Sequence, residues 1–297
     1  MKKNILLHDY GGYSFIYQLA KQLGLEHNIT YIYCSGSGSS KGNVYQDSEG
    51  LCCIDLNDKP INKTNFITRL FVEIKYGKKL LEYITSIKVD AVLSANTPVI
   101  PQYFLQRYCQ KNQVQFIFWL QDIISLAVKD VLGKKSKIIA EVIYRIWKYF
   151  EKKALKNSDR IVVISEDFTD FLQSWKIDNN KIEFIPNWSS ITDVVPKEKI
   201  NNFSLQHNIT STFNIVYSGT LGYKHNPDIL YKAASKLSSD ANIKFIIISE
   251  GFGADRLNEL NSKTKLENLI LLPYQPHSIL PEVLASADVI LSILEQS

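Results

Sequence analysis

Short apolar runs rich in β-branched residues alternate with longer amphipathic stretches along most of this 297-residue chain. The short runs are typical of β-strands, and the longer stretches have the apolar spacing of α-helices. Apolar strands separated by helices favour parallel sheets that are covered on both faces. We therefore expect an α/β fold built from Rossmann-like, doubly wound domains.

The same pattern predicts where the elements lie. Strands are expected at residues 5–8, 29–33, 91–94, 116–120, 161–165, 182–185, 213–218, 244–249, 269–272 and 289–293. Helices are expected at residues 13–23, 66–87, 101–111, 136–156, 168–175, 227–237 and 279–285. Helices between successive strands supply the crossover connection that parallel strands require.

The segment 186–212 interrupts the alternation. It is rich in Asn and Ser, contains Pro186 and Pro196, and has no strong apolar period, which is typical of a linker. The predicted division is an N-terminal domain at 1–190, a linker at 191–212 and a C-terminal domain at 213–297. The last of these has about four predicted strands, fewer than the roughly six of a complete doubly wound domain. Because no predicted helix follows its last strand, we expect this domain to be incomplete.

Composition and charge exclude several classes of protein. A hydrophobic fraction of 45% and a formal net charge of +4 are typical of a globular chain, whereas a general nucleic-acid binder would carry a larger basic excess. The N-terminus lacks the apolar core of a secretory signal, and no apolar run approaches the roughly 20 residues of a transmembrane helix. The cysteines show no metal-ligand spacing. We therefore expect a cytoplasmic protein with no nucleic-acid partner and no metal site built from cysteines.

The turn after the first predicted strand contains Gly11 and Gly12. Glycines between a strand and a helix let backbone amides approach a phosphate or a sugar at the helix N-terminus. A plain tight turn explains the same residues, so both interpretations stay open. The chain has no GxGxxG fingerprint, which disfavours a nicotinamide-binding Rossmann domain.

The loop at 217–224 (YSGTLGYK) carries the strongest signal. It follows a predicted strand and precedes a helix that Pro227 can start. Gly219, Thr220 and Lys224 place backbone amides, a hydroxyl and an ammonium where they can clamp a diphosphate. An ordinary strand-to-helix loop is the alternative.

Another glycine-rich turn, at 249–253 (SEGFG), follows the next predicted strand. Gly251 tolerates the close approach of a ligand. The Glu250 carboxylate can accept hydrogen bonds from the hydroxyls of a ribose or another sugar. A simple turn is again the alternative.

Two motifs lie near strand ends in the first predicted domain. The run WLQD at 119–122 ends an apolar strand, at the edge where open α/β sheets bind ligands. There Asp122, next to Gln121, can orient a sugar hydroxyl or take a proton, or it can cap the helix that follows. The run IPNW at 185–188 can close a cleft at the domain junction or can be plain linker.

The stretch 134–156 interleaves basic residues with apolar and aromatic ones. Its Lys and Arg residues far outnumber its acidic residues, which are Glu141 and Glu151. This composition suits contact with an anionic membrane surface. An ordinary helix with a core stripe and a solvated basic face is the alternative, and no recognised nucleic-acid motif accompanies the charge.

Together these motifs resemble the retaining glycosyltransferases of family 4, which have the GT-B fold, and in particular the capsule and exopolysaccharide enzymes similar to colanic acid glycosyltransferases. The resemblance runs from Gly11 to Asp288, and the order and spacing of its motifs carry it. Those motifs are 119–122, 185–188, 217–224 and 280–289. The resemblance implies an acceptor site in the first domain, a nucleotide-sugar donor site in the second, and no metal cofactor.

The resemblance also implies roles for individual residues in the donor site. Lys224 matches the lysine that binds the donor diphosphate, and Gly219 matches the glycine that begins that loop. Thr220 stands where many members have an arginine, so part of the usual charge clamp is absent. Tyr274 and Gln275 match the loop that usually borders the nucleotide base.

Two further features of the family concern catalysis. Gln121 and Asp122 match the position where many relatives have a histidine followed by an acid, beside the reacting sugar. Members also have two glutamates eight positions apart, or a Pro-Ser-Lys variant, beyond the strand that ends here near Ile293. Nothing here supplies that segment, and Glu295 is a poor substitute, so the resemblance implies a C-terminally truncated enzyme.

The implied reaction is transfer of a hexose from a UDP- or GDP-sugar to a lipid-linked glycan in surface polysaccharide biosynthesis, with peripheral contact at the inner face of the membrane. One alternative is a non-catalytic remnant or partner subunit, because the segment that grips the donor sugar is missing. A nucleotide-sugar 2-epimerase, which shares the fold, is a further alternative.

Overall fold

The computed structural model of the chain describes residues 2–37, 45–57, 66–133, 136–188, 194–222 and 225–293. Lys224 and the C-terminal residues 294–297 therefore lie outside the described part. The chain divides into two compact units, Met1–Ser189 and Ser190–Ser297. Each unit contains one parallel sheet with helices between its strands, which confirms the predicted α/β class with two Rossmann-like sheets.

The first unit has a seven-stranded sheet in the order β3-β2-β1-β4-β5-β6-β7. Its strands are β1 (Asn4–Asp9), β2 (Asn28–Tyr33), β3 (Leu51–Asp55), β4 (Ala91–Ala95), β5 (Gln115–Leu120), β6 (Arg160–Val163) and β7 (Ile182–Phe184). Its helices are α1 (Ser14–Gly24), α2 (Phe66–Thr85), α3 (Val99–Asn112), α4 (Ile124–Gly133), α5 (Lys137–Lys156) and α6 (Asp167–Ser174). The strand order reverses between β1 and β4, and open α/β sheets bind ligands at the carboxyl ends of strands beside such a reversal.

Successive residues of β1 build separate cores on the two faces of this sheet. Leu6 packs into a buried cluster that also contains Leu80 and Leu105, and its neighbour Leu7 packs into another cluster with Ile16. All five side chains are fully buried. Because side chains alternate across a strand, a strand that is apolar at every position stabilises both layers of helices at once.

The second unit repeats the same strand order with four strands, β10-β9-β8-β11. Its strands are β8 (Phe213–Ser218), β9 (Ile243–Ile248), β10 (Leu269–Leu272) and β11 (Val289–Ile290). Its helices are α7 (Asn202–Gln206), α8 (Pro227–Lys236), α9 (Phe252–Thr264) and α10 (Leu280–Ala285). Here the order reverses between β8 and β11.

Part of the predicted linker, 191–212, belongs instead to the second unit. Asn201 caps α7 through a capping box with Ser204, and its side chain also donates to the Ser286 hydroxyl at the end of α10 (3.2 Å). Phe203 and Ile209 are buried in the core of this unit. The Asn and Ser residues that indicated a linker serve here as helix caps and packing contacts, so this part of the prediction was wrong.

The structure also contains elements that lie outside the predicted ranges, namely β3, α4, α7 and α9. Helix α9 buries little besides Gly253 and Leu257, so its apolar period is faint. Among the described helices, none is both long and apolar enough to cross a membrane.

Candidate functional site

Segments that follow β8, β9 and β10 meet at the carboxyl edge of the second sheet. The Thr220 hydroxyl hydrogen-bonds with the Tyr274 hydroxyl, which joins the loop after β8 to the segment after β10. The Leu221 amide donates to Ser249 Oγ at the end of β9 (3.0 Å), and the Gly253 amide donates to the Leu221 carbonyl (2.9 Å). The structure therefore brings together three regions that the sequence predicted separately as donor-binding.

The glycines after β9 allow this close approach of one backbone segment to another. A Cβ at Gly253 would lie 2.7 Å from the Leu221 carbonyl oxygen, and Gly251 has a φ of +90°. Residues with a side chain rarely adopt that φ. The sequence predicted that the glycines of this turn let a ligand come close. At Gly253, the group that comes close is the protein's own Leu221 carbonyl.

Most amides of the loop after β8 donate within the unit. The Gly219 amide donates to the Ile248 carbonyl (3.1 Å), and the Gly222 amide donates to His225 Nδ1 (3.0 Å). The Leu221 amide is also paired, to Ser249 Oγ, so three of the amides expected to face a diphosphate already have acceptors within the unit. Within the described loop, only the amide of Thr220 has no acceptor.

Lys224 lies outside the described residues, so its predicted contact with a diphosphate stays a prediction. The residues that flank it are placed. Gly222 ends the described part of the loop, and His225 resumes the chain just before α8, which begins at Pro227 as predicted. By its place in the sequence, Lys224 therefore belongs to the connection between β8 and the N-terminus of α8.

A cavity of about 280 Å³ opens beside these segments. Glu250 and Gly251 line it together with Pro273, the residue before Tyr274. The Glu250 side chain is exposed, and no described group hydrogen-bonds to its carboxylate. The neighbouring Gln275 side chain donates to the Pro273 carbonyl (2.9 Å). An unpaired carboxylate at a concave edge can accept hydrogen bonds from sugar hydroxyls.

In the first unit, Asp9 ends β1 at the strand-order reversal and is fully buried. Its Oδ1 accepts from the Gly11 amide (3.0 Å) and from Asn96 Nδ2 beyond β4 (3.1 Å). Its Oδ2 accepts from the Tyr13 amide (2.5 Å) and from the Tyr31 hydroxyl (3.4 Å). Burial raises the pKa of this carboxyl group to about 7, although the hydrogen bonds oppose the shift.

The turn that Asp9 holds contains the predicted donor-binding residues Gly11 and Gly12. The Gly12 amide donates to the Asp9 carbonyl (3.1 Å), so the amides of Gly11, Gly12 and Tyr13 all have acceptors inside the turn. Gly12 has a φ of +64°, and a Cβ at Gly11 would lie 2.1 Å from the Tyr13 ring. These facts favour the tight-turn interpretation. A contact of either glycine with a donor stays a prediction and would use groups other than these amides.

His8, which precedes Asp9, is also fully buried and fully paired. Its ring nitrogens hydrogen-bond with Ser94 Oγ (2.9 Å), Tyr76 Oη (2.9 Å) and Thr97 Oγ1 (3.0 Å). Burial lowers the pKa of this imidazole to about 3, so the ring is neutral at neutral pH. The network ties β1 to β4 and α2 behind the switch point and offers no group to a ligand.

The motifs at 119–122 and 185–188, which the sequence left separate, contact each other. Gln121 Nε2 donates to Asn187 Oδ1 (3.2 Å), and Asn187 Nδ2 donates to Gln121 Oε1 (2.6 Å). The Trp119 and Trp188 rings lie 5.7 Å apart. This contact favours an ordered junction at the carboxyl edge of the first sheet over plain linker.

Asp122 lies next to this junction with its side chain exposed. It does not cap α4, because the first amides of that helix, those of Ile124 and Ser125, donate to the buried Glu151 carboxylate (2.8 and 3.1 Å). Burial raises the pKa of Glu151, and these hydrogen bonds oppose the shift. The helix-cap alternative for Asp122 is therefore contradicted, and its carboxylate makes no hydrogen bond to any described group.

Sequence reasoning missed Asp9, Asn96, Ser249 and Glu151 as organisers of these edges. Asp9 lies two residues before the glycine pair, so its place at a strand end was a signal for a turn-holding carboxylate. Nothing local pointed to Asn96, which lies 87 residues away from its partner. The φ of +47° at Asn96 is a conformation that Asn tolerates better than most residues.

Comparison with known protein families gives two matches. The sequence model of the family described as Glycosyltransferase Family 4 matches residues 11–189. The model described as Glycosyl transferases group 1 matches residues 200–294. The boundary between the two matches falls close to the boundary between the two compact units.

Two curated proteins are similar to parts of the chain. WcaI of Escherichia coli (strain K12), whose name assigns it to colanic acid biosynthesis, is 28% identical over 47% of this chain and 35% of its own length. An uncharacterized glycosyltransferase of Methanocaldococcus jannaschii is 24% identical over 68% of this chain and 49% of its own length. The chain thus spans about half or less of these relatives.

Solved structures share the fold at low sequence identity. HepE of Anabaena, in complex with UDP and glucose, has a TM-score of 0.65 and 13% identity, covering 98% of this chain and 73% of that one. Sucrose-phosphate synthase of Thermosynechococcus elongatus has a TM-score of 0.69 and 13% identity, covering 97% and 75%. The fold is therefore of the GT-B type, as predicted. Because the match to the first family model spans residues 11–189, more than half of the chain, this protein belongs to glycosyltransferase family 4.

Proposed function

We propose that this glycosyltransferase moves a hexose from a UDP- or GDP-sugar to a lipid-linked glycan acceptor in surface polysaccharide biosynthesis, with retention of configuration. The observation that carries the proposal is the hydrogen bond between Thr220 and Tyr274 at the carboxyl edge of the second sheet. The cavity that Glu250 lines lies at the ends of the neighbouring strands β9 and β10. The name of WcaI and the UDP and glucose bound to HepE support the choice of pathway and donor class.

The donor half of the proposal concerns the leaving diphosphate. Negative charge that develops on it must be stabilised by donors already in place. The amide of Thr220 and the ammonium of Lys224 are the groups proposed for this task, with Gly219 shaping the loop. Since these groups neutralise charge without a metal ion, we expect transfer to be metal-independent.

The remaining contacts with the donor are proposed from where residues lie along the carboxyl edge of the second sheet. Glu250 accepts hydrogen bonds from the hydroxyls of the ribose or the donor sugar, with Gly251 allowing close approach. Tyr274 and Gln275 border the nucleotide base. In this arrangement the Thr220–Tyr274 hydrogen bond couples the diphosphate loop to the base-binding segment.

The acceptor half of the proposal concerns Gln121 and Asp122. The exposed Asp122 carboxylate orients a hydroxyl of the reacting sugar. Gln121 has no basic site and is held by Asn187, so its role is to fix the position of the neighbouring acid. Asp122 is therefore the proposed catalytic group and Gln121 its positioning residue.

The proposal is tested by incubating the purified chain with membrane extract and radiolabelled UDP- and GDP-sugars. Transfer of label to the lipid fraction that disappears in Asp122→Asn supports it. Binding of nucleotide without any transfer would instead indicate the non-catalytic alternative. Release of a free epimerised sugar in the absence of acceptor would indicate the epimerase.

A further inference from the structure

Helix α5 has a continuous apolar row on its solvent side. Ile138, Ile139, Val142, Ile146 and Tyr149 are exposed by 80%, 57%, 54%, 45% and 57%. Their spacing of three and four residues puts them on one side of the helix. The opposite side, which includes Ala140, Trp147 and Ala154, is buried against the rest of the unit. We call the exposed side the α5 outer face.

A continuous apolar row of this kind is unusual on a solvent-exposed protein surface. Single exposed apolar side chains are common, but contiguous patches mark interaction sites. The row runs for about 16 Å along the helix, from Ile138 to Tyr149, at about 1.5 Å per residue. A binding partner of this row would therefore have to be apolar over about three helical turns.

A basic row lies directly beside the apolar one. Arg145, Lys148, Lys152 and Lys156 follow one another at spacings of three and four residues, which places them along an adjacent line of the same helix. Partial burial and the charges of Lys156, Lys148 and Lys176 lower the pKa of Lys152. These ammonium groups thus repel one another and favour an anionic partner.

Acidic residues do little to neutralise this surface. Glu141 is the acidic residue on the exposed part of α5, and it already pairs with Lys129 (3.1 Å) and Arg145 (3.0 Å). The other acidic residue of α5, Glu151, is buried and accepts a hydrogen bond from the first amide of α4. The outer face therefore combines an apolar centre with an excess of positive charge.

The C-terminal end of the row has the side-chain arrangement of an interfacial helix. The Lys153 ammonium lies 5.2 Å from the centre of the Tyr149 ring and donates to the Tyr149 hydroxyl (3.0 Å). Tyr and Lys both have an apolar body and a polar tip, so they are suited to the boundary between hydrocarbon and water.

We propose that the α5 outer face docks on a lipid bilayer surface that contains anionic lipid. A helix with an apolar row and a basic flank lies in the plane of such a surface, with the apolar side chains inserted and the ammonium groups at the phosphates. The excess of positive charge beside the apolar row favours an anionic bilayer over an uncharged apolar groove. Docking requires no sugar transfer. This inference therefore goes beyond the proposed function and can be tested independently of it.

The test is co-sedimentation of the full chain with vesicles of phosphatidylcholine alone or of phosphatidylcholine and phosphatidylglycerol in a 3:1 ratio, an illustrative mixture of about 25% anionic lipid. We expect binding to the anionic vesicles only, weakening as salt rises. The double substitution Lys152→Gln and Lys156→Gln removes two charges, and each should weaken partitioning about fivefold. The matched control is Lys232→Gln with Lys236→Gln, the same spacing on α8, which should leave binding unchanged.

The apolar row is tested with Ile138→Ser and Val142→Ser, against Leu25→Ser and Ile200→Ser as exposed apolar controls elsewhere. We expect only the α5 pair to abolish vesicle binding, with circular dichroism unchanged. Absence of binding to anionic vesicles, or binding that survives both α5 substitutions, overturns the proposal. A dimer that dissociates on Ile138→Ser and Val142→Ser, without vesicle binding, would overturn it in favour of self-association.

Discussion

The side-chain amides of Gln121 and Asn187 donate hydrogen bonds to each other across 66 residues of sequence. The pair links the carboxyl end of β5 to the chain just beyond β7, and the Trp119 and Trp188 rings pack beside it. An amide pair of this kind satisfies polar groups without adding charge. The exposed Asp122 is thereby held at a defined position on the edge of the first sheet.

If the two hydrogen bonds between Gln121 and Asn187 stabilise the fold, their free energy appears as a coupling between mutations of the two residues. We expect Gln121→Leu and Asn187→Leu each to destabilise the first unit, with a coupling energy of about 1 kcal/mol in a double-mutant cycle. Urea unfolding followed by tryptophan fluorescence measures it, since Trp119 and Trp188 report on this junction. Additive effects of the two substitutions would show that the pair contributes nothing as a pair.

Asp122→Asn should lower the rate of sugar transfer by about a hundredfold, because the amide cannot orient or deprotonate a hydroxyl as a carboxylate does. The free energy of unfolding should not change, since Asp122 caps no helix and hydrogen-bonds to no described group. The control is Asp130→Asn, which changes an exposed acid on α4. Equal transfer rates in the two variants would remove Asp122 from the proposed chemistry.

Glu250→Gln should weaken binding of the nucleotide-sugar about tenfold, because a neutral amide accepts weaker hydrogen bonds from sugar hydroxyls than a carboxylate does. Titration calorimetry with UDP-glucose and GDP-mannose measures the change. Glu267→Gln, an exposed glutamate before β10, serves as the control. A Glu250 variant that binds as tightly as the control would place the donor elsewhere.

The buried Asp9 should make stability depend on pH. Its pKa is raised from 3.8 to about 7 on folding, so its contribution to stability is complete below about pH 4 and is lost as the pH rises to about 7. His8 acts in the opposite sense, because burial lowers its pKa from 6.5 to about 3. Comparison of wild type with Asp9→Asn isolates the carboxyl group.

Urea unfolding of both proteins between pH 4 and pH 8 measures this difference. We expect the free energy of unfolding of wild type to fall relative to Asp9→Asn as the pH rises through this range, and then to level off. A difference between the two proteins that stays constant with pH would mean that Asp9 titrates at the same pH in the folded and unfolded chains.

The sequence predicted most strands well because their apolar runs are dense. The bounds of β8 and β10 are those expected. Helix α9 was missed because its polar residues hide the apolar period, and it forms because tertiary contacts at Gly253 and Leu257 hold it in place. The predicted linker was partly wrong since the same Asn and Ser residues that favour loops also cap helices.

The candidate site shows the same limit on local reasoning. The sequence located the glycines after β1, β8 and β9 and predicted that they let a ligand approach, with ordinary turns or loops as the alternative. In the structure, Asp9 accepts from the nearby Gly11 and Tyr13 amides, whereas Ser249 accepts from the Leu221 amide 28 residues away. Only a partner as distant as Ser249 leaves no local pattern. The meeting of Thr220 with Tyr274 likewise depends on strand order, which apolar periodicity does not specify.

The central claim is that the loop between β8 and α8 binds the diphosphate of a nucleotide-sugar. Calorimetric titration of wild type and Lys224→Ala with UDP, GDP, UMP and GMP tests it most directly. We predict that one diphosphate binds more tightly than its monophosphate, and that Lys224→Ala weakens diphosphate binding about tenfold or more while changing monophosphate binding little. Equal affinity for diphosphate and monophosphate in wild type, or unchanged diphosphate binding in Lys224→Ala, would contradict the claim.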